Sequence, residues 1–88
     1  MKNRKAKRSE LYQNKTYKDF QRAIANNLRQ LREAKDMTQE DASHLCKMAV
    51  RQYQSVEAGR TNLSLLTLAR LVDGLGISAG ELLSKSGQ

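Results

Sequence analysis

The chain has 88 residues, enough for one domain and too few for two. It contains no proline, five glycines and only 5% aromatic residues, which favours helices over strands and leaves no aromatic platform for stacking single-stranded bases. The net charge of +7 is uneven: residues 1–18 hold seven basic groups against Glu10, a net +6, whereas residues 19–88 hold nine against eight, a net +1. Bulk charge therefore says little about what the folded part binds.

Other features narrow the class further. A single cysteine, Cys46, cannot form an internal disulfide, and with one histidine, His44, it offers no metal-ligand spacing, so no metal or cofactor is expected. The basic start runs into Tyr12, Gln13 and Asn14 rather than an apolar stretch, unlike a signal peptide. Apolar runs as short as Met48-Ala49-Val50 exclude a membrane-spanning helix, and a cytoplasmic location is expected. A chain this short buries only about 60% of its unfolded surface, which favours support from a second subunit.

In chain order, residues 1–16 are polar, charged and aperiodic, the signature of a flexible basic arm. Phe20, Ile24, Leu28 and Leu31 recur at helical spacing and predict a first helix over about 17–35. Thr38 caps a second helix with Asp41 in its first turn, ending near Cys46-Lys47. A third helix spans about 49–58, where Gly59 supplies the left-handed terminating position. Ser64 caps a fourth, with Leu65, Leu68, Ala69, Val72 and Leu75 as its apolar stripe, ending at Gly76. Ser78-Ala79-Gly80-Glu81 is a second capping box and opens a short fifth helix carrying Leu82 and Leu83. The expected fold is all-α: five helices in one domain over 17–84, with a short tail at 85–88.

Only three or four residues join the second and third helices, the connector length of a helix-turn-helix. At about 100° per residue, Ala49, Gln52, Tyr53 and Val56 share one side of the third helix. Val50, Arg51, Gln54, Ser55 and Ala58 share the other, which carries a long cation, an amide and a hydroxyl but no acid. Such a face suits a DNA major groove: Arg grips guanine edges, Gln reads adenine, and Val packs on a thymine methyl. An ordinary solvated helix face has the same composition, so the neighbouring residues must decide between the two.

They do so through a resemblance. The runs Leu28-Arg29-Gln30-Leu31-Arg32-Glu33-Ala34-Lys35, Met37-Thr38-Gln39-Glu40 and Val56-Glu57-Ala58-Gly59 resemble the phage-repressor/Cro (Xre-like) helix-turn-helix family. Asn62-Leu63-Ser64-Leu65-Leu66-Thr67-Leu68, Leu75-Gly76-Ile77-Ser78 and Glu81-Leu82-Leu83 follow in the same order and spacing, so the likeness covers about residues 20–84. It implies a five-helix, lambda-repressor-like domain that binds double-stranded DNA as a homodimer and does no catalysis. Val50, Arg51 and Ser55, with Gln54 beside them, fall where the family meets base edges. Gln39 falls where it touches a phosphate and braces the reading helix, and Arg60 and Asn62 fall in the loop that grips the backbone. Arg32 and Glu57 match a partly buried family ion pair.

The chain departs from the family at Lys47, where the turn usually has Gly, at Ser43, which replaces a common Ala, and at Ala42 and Cys46, which replace larger apolar residues. The remaining candidates have plain readings. Cys46 is a core residue rather than a redox switch, His44 is solvated, and Tyr53 is a core plug with its hydroxyl at the rim. Leu66, Leu82 and Leu83 are candidate dimer surface, or else core. The arm either follows DNA phosphates or simply solubilises the chain. No paired carboxylates, Ser/His/Asp set, Cys/His couple or phosphate-cradling Gly loop is present.

The expected function is sequence-specific regulation of transcription from an inverted-repeat operator, as a phage or plasmid repressor or a restriction-modification controller. The alternative is an antitoxin-like module that holds a partner protein, a toxin or part of the transcription machinery, with DNA binding secondary.

Overall fold

The computed structural model describes residues 8–85, so the charged side chains of Lys2, Arg4, Lys5 and Lys7 in the expected arm, and residues 86–88 of the tail, lie outside the described residues. Among the described residues every regular element is a helix. A single turn, α1 (Arg8–Leu11), precedes the long α2 (Lys15–Ala34). Then come α3 (Gln39–Leu45), α4 (Val50–Glu57), α5 (Leu65–Leu75) and α6 (Ala79–Leu83). The five expected helices are α2 to α6. The extra turn falls inside the stretch read as arm, and α2 starts two residues early because Asn14 caps it, its side chain accepting from the Tyr17 amide at 2.9 Å.

Local chemistry sets most of the boundaries. Thr38 and Asp41 form a reciprocal capping box on α3, Ser78 and Glu81 form another on α6, and Ser64 caps α5. Gly59 and Gly76 close α4 and α5 at φ 71° and 67°, where a Cβ would be strained. Lys47 adopts φ 56° in the turn between α3 and α4, the left-handed geometry expected of the family's glycine, and Asp36 does the same at φ 55°. Both are exposed, so their side chains cost nothing beyond the backbone strain.

The core is Ile24, Leu28, Ala42, Cys46, Tyr53, Val56, Leu71, Leu75 and Leu82. α2 runs through the middle and packs on both α4 and α6; α3 packs on α4 and α5. Two apolar assignments are corrected, and one left open between dimer surface and core is decided. Phe20, placed on the inward stripe of α2, is 53% exposed, on the wall of an open groove that it shares with Ile24, Leu63, Leu68 and Leu83. The inward stripe of α5 runs through Thr67, Leu71 and Leu75, leaving Leu65 83% exposed and Ala69 outside; with leucines at 65, 66, 68, 71 and 75, several helical phases fit equally well. Leu82, a candidate for dimer surface, is 1% exposed within the single chain, whereas Leu66 and Leu83 do face outward.

Two polar contacts complete the packing. Asn27, buried in the middle of α2, donates through Nδ2 to the carbonyls of Leu82 and Ser84 at 2.7 Å each and ties the end of α6 down. Lys35 Nζ reaches the Leu75 carbonyl at 3.2 Å, placing a cation on the C-terminal end of α5. No described helix is long and apolar enough to cross a membrane.

Among the described glycines, Gly74 stands in the tightest surroundings. A Cβ there would lie 2.6 Å from the Leu45 carbonyl oxygen and 2.8 Å from Cys46 Cα and Sγ, so α5 sits directly on the backbone that ends α3. Gly74→Ala is expected to lower stability by about 1–3 kcal/mol in urea denaturation, since backbone must move to admit the methyl. Gly80→Ala, whose Cβ would meet nothing closer than Ser78 Oγ at 3.7 Å, is expected to leave stability unchanged or raise it by up to about 1 kcal/mol.

Candidate nucleic-acid interface

α4 buries Tyr53, Val56 and Glu57 and turns Arg51, Gln52 and Gln54 to solvent, with Val50 and Ser55 half-buried at the margin. The predicted reading residues Val50, Arg51, Gln54 and Ser55 therefore lie on one accessible side of one helix. Gln52 departs from expectation: placed with the inward residues by angle, it is exposed. An eight-residue helix packed chiefly on α2 and α3 has a narrow buried arc, and Tyr53, Val56 and Glu57 fill it.

Gln39 opens α3 and reaches both neighbours. Its Nε2 donates to Glu57 Oε1 at 3.1 Å, and its Oε1 accepts from Gln54 Nε2 at 3.2 Å. Arg60 and Asn62 lie exposed in the loop between α4 and α5. That loop is held against α2 by Gln21, whose Nε2 donates to the Thr61 carbonyl at 3.2 Å. The base-facing and backbone-facing candidates thus flank one surface, spanning the start of α3, the outer side of α4 and the following loop.

Beneath it lies the ion pair. Arg32 Nε donates to Glu57 Oε2 at 2.6 Å and Nη2 to Oε1 at 3.1 Å, with Arg32 Nη1 on the Met37 carbonyl at 2.9 Å. The Glu57 side chain is 4% exposed. Tyr53 donates its hydroxyl to Glu57 Oε2 at 2.7 Å. This corrects the placing of that hydroxyl at the rim: Tyr53 is fully buried, and its oxygen is satisfied only because Glu57 comes inside to meet it. Burial works to raise the Glu57 pKa, but hydrogen bonds from Arg32, Tyr53 and Gln39 outweigh it and hold the carboxyl below its usual range. Burial first, then the Glu57 carboxylate, push the Tyr53 hydroxyl far up, so it stays a donor. The hydrogen bond with Glu57 likewise raises the Arg32 pKa.

The sequence reading found the pair and Gln39 but not Tyr53 or Asn27 as polar partners. The signal for Tyr53 was its position four residues before Glu57, one turn away on the same side of the helix. For Asn27 the only hint was an amide within an apolar stripe. Cys46 is buried in the core as expected, and burial raises its pKa, which suppresses the reactive thiolate. Among the described residues no group of three or more His, Cys, Asp or Glu is placed to hold a metal ion.

Comparison with known proteins places this surface in context. A helix-turn-helix family model matches residues 28–82, from the middle of α2 to α6. Control protein C.MunI of a Mycoplasma species is 36% identical over 67 residues, 75% of this chain and 90% of that protein. Among solved structures, the restriction-modification controller protein C.AhdI from Aeromonas hydrophila superposes with a TM-score of 0.66 at 32% identity, covering 70% of this chain and 94% of that one. A hypothetical transcription factor, NHTF from Neisseria, superposes with a TM-score of 0.73 at 27% identity over 80% of each chain.

The buried pair has a consequence in acid. Because the folded state holds the Glu57 pKa below its unfolded value, the stability it contributes is complete above the unfolded value, about 4.3, and is lost as pH falls through the lower folded value. Urea midpoints measured from pH 7 down to pH 3 are expected to drop below about pH 4. Glu57→Gln is expected to cost about 3 kcal/mol or more at neutral pH, since Arg32 is left buried without its counter-charge, and to flatten that acid limb.

Proposed function

The chain belongs to the helix-turn-helix family of DNA-binding transcription regulators, and from that premise we propose that it acts as a homodimer on an inverted-repeat operator, in the manner of a restriction-modification controller. Members of the family regulate transcription and are not enzymes. The observation that carries the reading is the outer side of α4, where Arg51 and Gln54 are exposed, Val50 and Ser55 lie beside them, and the one acid of the helix, Glu57, is buried. In a major groove Arg51 reads guanine O6 and N7, Gln54 reads adenine, and Val50 packs against a thymine methyl. Gln39 keeps one amide hydrogen for a phosphate, and Arg60 and Asn62 hold the backbone from the next loop.

Support for the dimer comes from the apolar surface left over. Phe20, Leu66 and Leu83 are 53%, 61% and 40% exposed. Phe20 and Leu83 line a groove of about 280 Å³ together with Tyr17, Ile24, Leu63 and Leu68. A second copy covering this face would carry two α4 helices to successive major grooves, about 10 bp apart. The likeness to two controller proteins, over most of their length, favours that role over a phage or plasmid repressor. A DNA regulator of this kind works in the cytoplasm or nucleoid. The basic residues that precede α1 add phosphate contacts that carry no sequence information.

Selection from a random duplex library at near-physiological salt tests the proposal: an enriched inverted repeat is expected, and the absence of any enriched sequence would turn attention to a protein partner such as a toxin. Against the selected site, Arg51→Ala is expected to cost about 1–3 kcal/mol and to relax preference at one base pair per half-site. Equal loss on all sequences would contradict a reading role for Arg51. Deleting residues 1–7 is expected to weaken binding to every sequence alike and to flatten the dependence of affinity on salt.

A further inference from the structure

Five side chains link the core to the outer side of α4 in one connected network of hydrogen bonds. Glu57, held by Arg32 and Tyr53, accepts from Gln39 Nε2 at 3.1 Å, and Gln39 Oε1 accepts from Gln54 Nε2 at 3.2 Å. The direction of every link follows from the first. A carboxylate can only accept, so Gln39 must turn its amino group inward and its carbonyl outward. Reversing the Gln39 amide would set its carbonyl against a buried carboxylate and lose a charge-assisted bond.

Gln54 inherits that constraint. The outward atom of Gln39 is an acceptor, so Gln54 must bring an N–H to it, which leaves the Gln54 carbonyl oxygen and one N–H for anything docked on the exposed side of α4. A glutamine without such a lock turns either edge of its amide to a base at little cost. Here the order is set from within. Adenine offers N6–H and N7 in the complementary order and takes both bonds; cytosine offers N4–H and takes one; guanine and thymine present acceptors to the Gln54 oxygen.

We propose that Glu57, acting through Gln39, locks the amide of Gln54 in the orientation that selects adenine at its contacted base pair and disfavours guanine and thymine. Gln39 and Glu57 are then positioning residues, which set specificity without touching the base. The assignment rests on the DNA-reading role of α4 proposed above.

The test uses the whole chain and library selection with wild type, Gln54→Ala, Gln39→Met and Arg51→Ala, each checked for folding by denaturation. Gln54→Ala identifies the base pair that Gln54 contacts. Wild type is expected to prefer adenine there, and Gln39→Met, which keeps length and removes the amide, is expected to reduce the adenine-over-guanine ratio at that pair by about tenfold. The pair relaxed by Arg51→Ala should be unaffected by Gln39→Met; a merely structural role for Gln39 would weaken all positions together. In the DNA-free protein, the side-chain amide resonances of Gln54 are expected to shift in Gln39→Met. The lock is overturned if the Gln54-dependent pair is guanine or thymine, if its adenine preference survives Gln39→Met, or if no pair depends on Gln54 while Arg51→Ala still relaxes one. In those three cases DNA reading by α4 stands. If no sequence is enriched by wild type at all, the reading function itself falls, and this assignment with it.

Discussion

The ion pair between Arg32 and Glu57 is the constraint on which the rest of the structure depends. It joins α2, the central helix, to the last residue of α4, and it lies where water is excluded. A pair in that setting stabilises little by itself, because two charges have lost their hydration. Its effect is to fix geometry. Two parallel bonds from one guanidinium, a third from Arg32 to the Met37 carbonyl, one from Tyr53 and one from Gln39 leave a single arrangement of α2, α3 and α4 in which all polar groups are satisfied. Among the described residues no buried side-chain nitrogen or oxygen lacks a partner. The angle at which α4 stands out from the domain is therefore set by polar chemistry as much as by apolar packing.

The second constraint is the close seating of α5. Gly74 lets that helix rest on the end of α3, against Leu45 and Cys46. The departure from a larger family residue at Cys46 and the absence of a Cβ at residue 74 fall at the same contact, where α5 approaches α3. Ser43 can be buried because its hydroxyl bonds the Glu40 carbonyl at 2.8 Å, one turn back in its own helix.

Charge and apolar surface are divided between different parts of the chain. From α2 onward eleven basic residues stand against eight acidic ones, a net +3, while residues 1–14 hold a net +4, so recognition by α4 depends on a few directed groups more than on a strong general field. The exposed Phe20, Leu65, Leu66 and Leu83 represent apolar area that the single short chain leaves uncovered.

Much of this was determined by the sequence alone. The helices, their caps at Thr38, Ser64 and Ser78, the glycine ends at Gly59 and Gly76, the left-handed turn at Lys47 and the outward side of α4 all arise from interactions within a few residues, which periodicity and residue type record directly. The Arg32–Glu57 pair was legible only through resemblance, since 25 residues separate its partners. What tertiary structure alone decided were matters of phase and reach: which of five leucines on α5 turn inward, that Phe20 is left half-exposed on a groove wall, that Leu82 is core, that Asn27 fastens α6, and that the Tyr53 hydroxyl faces inward. The order of the Gln39 and Gln54 amides belongs here too. Each depends on where a distant element ends or which atom it presents, and a local pattern cannot carry that information, because the energy that decides it arises only when the helices meet.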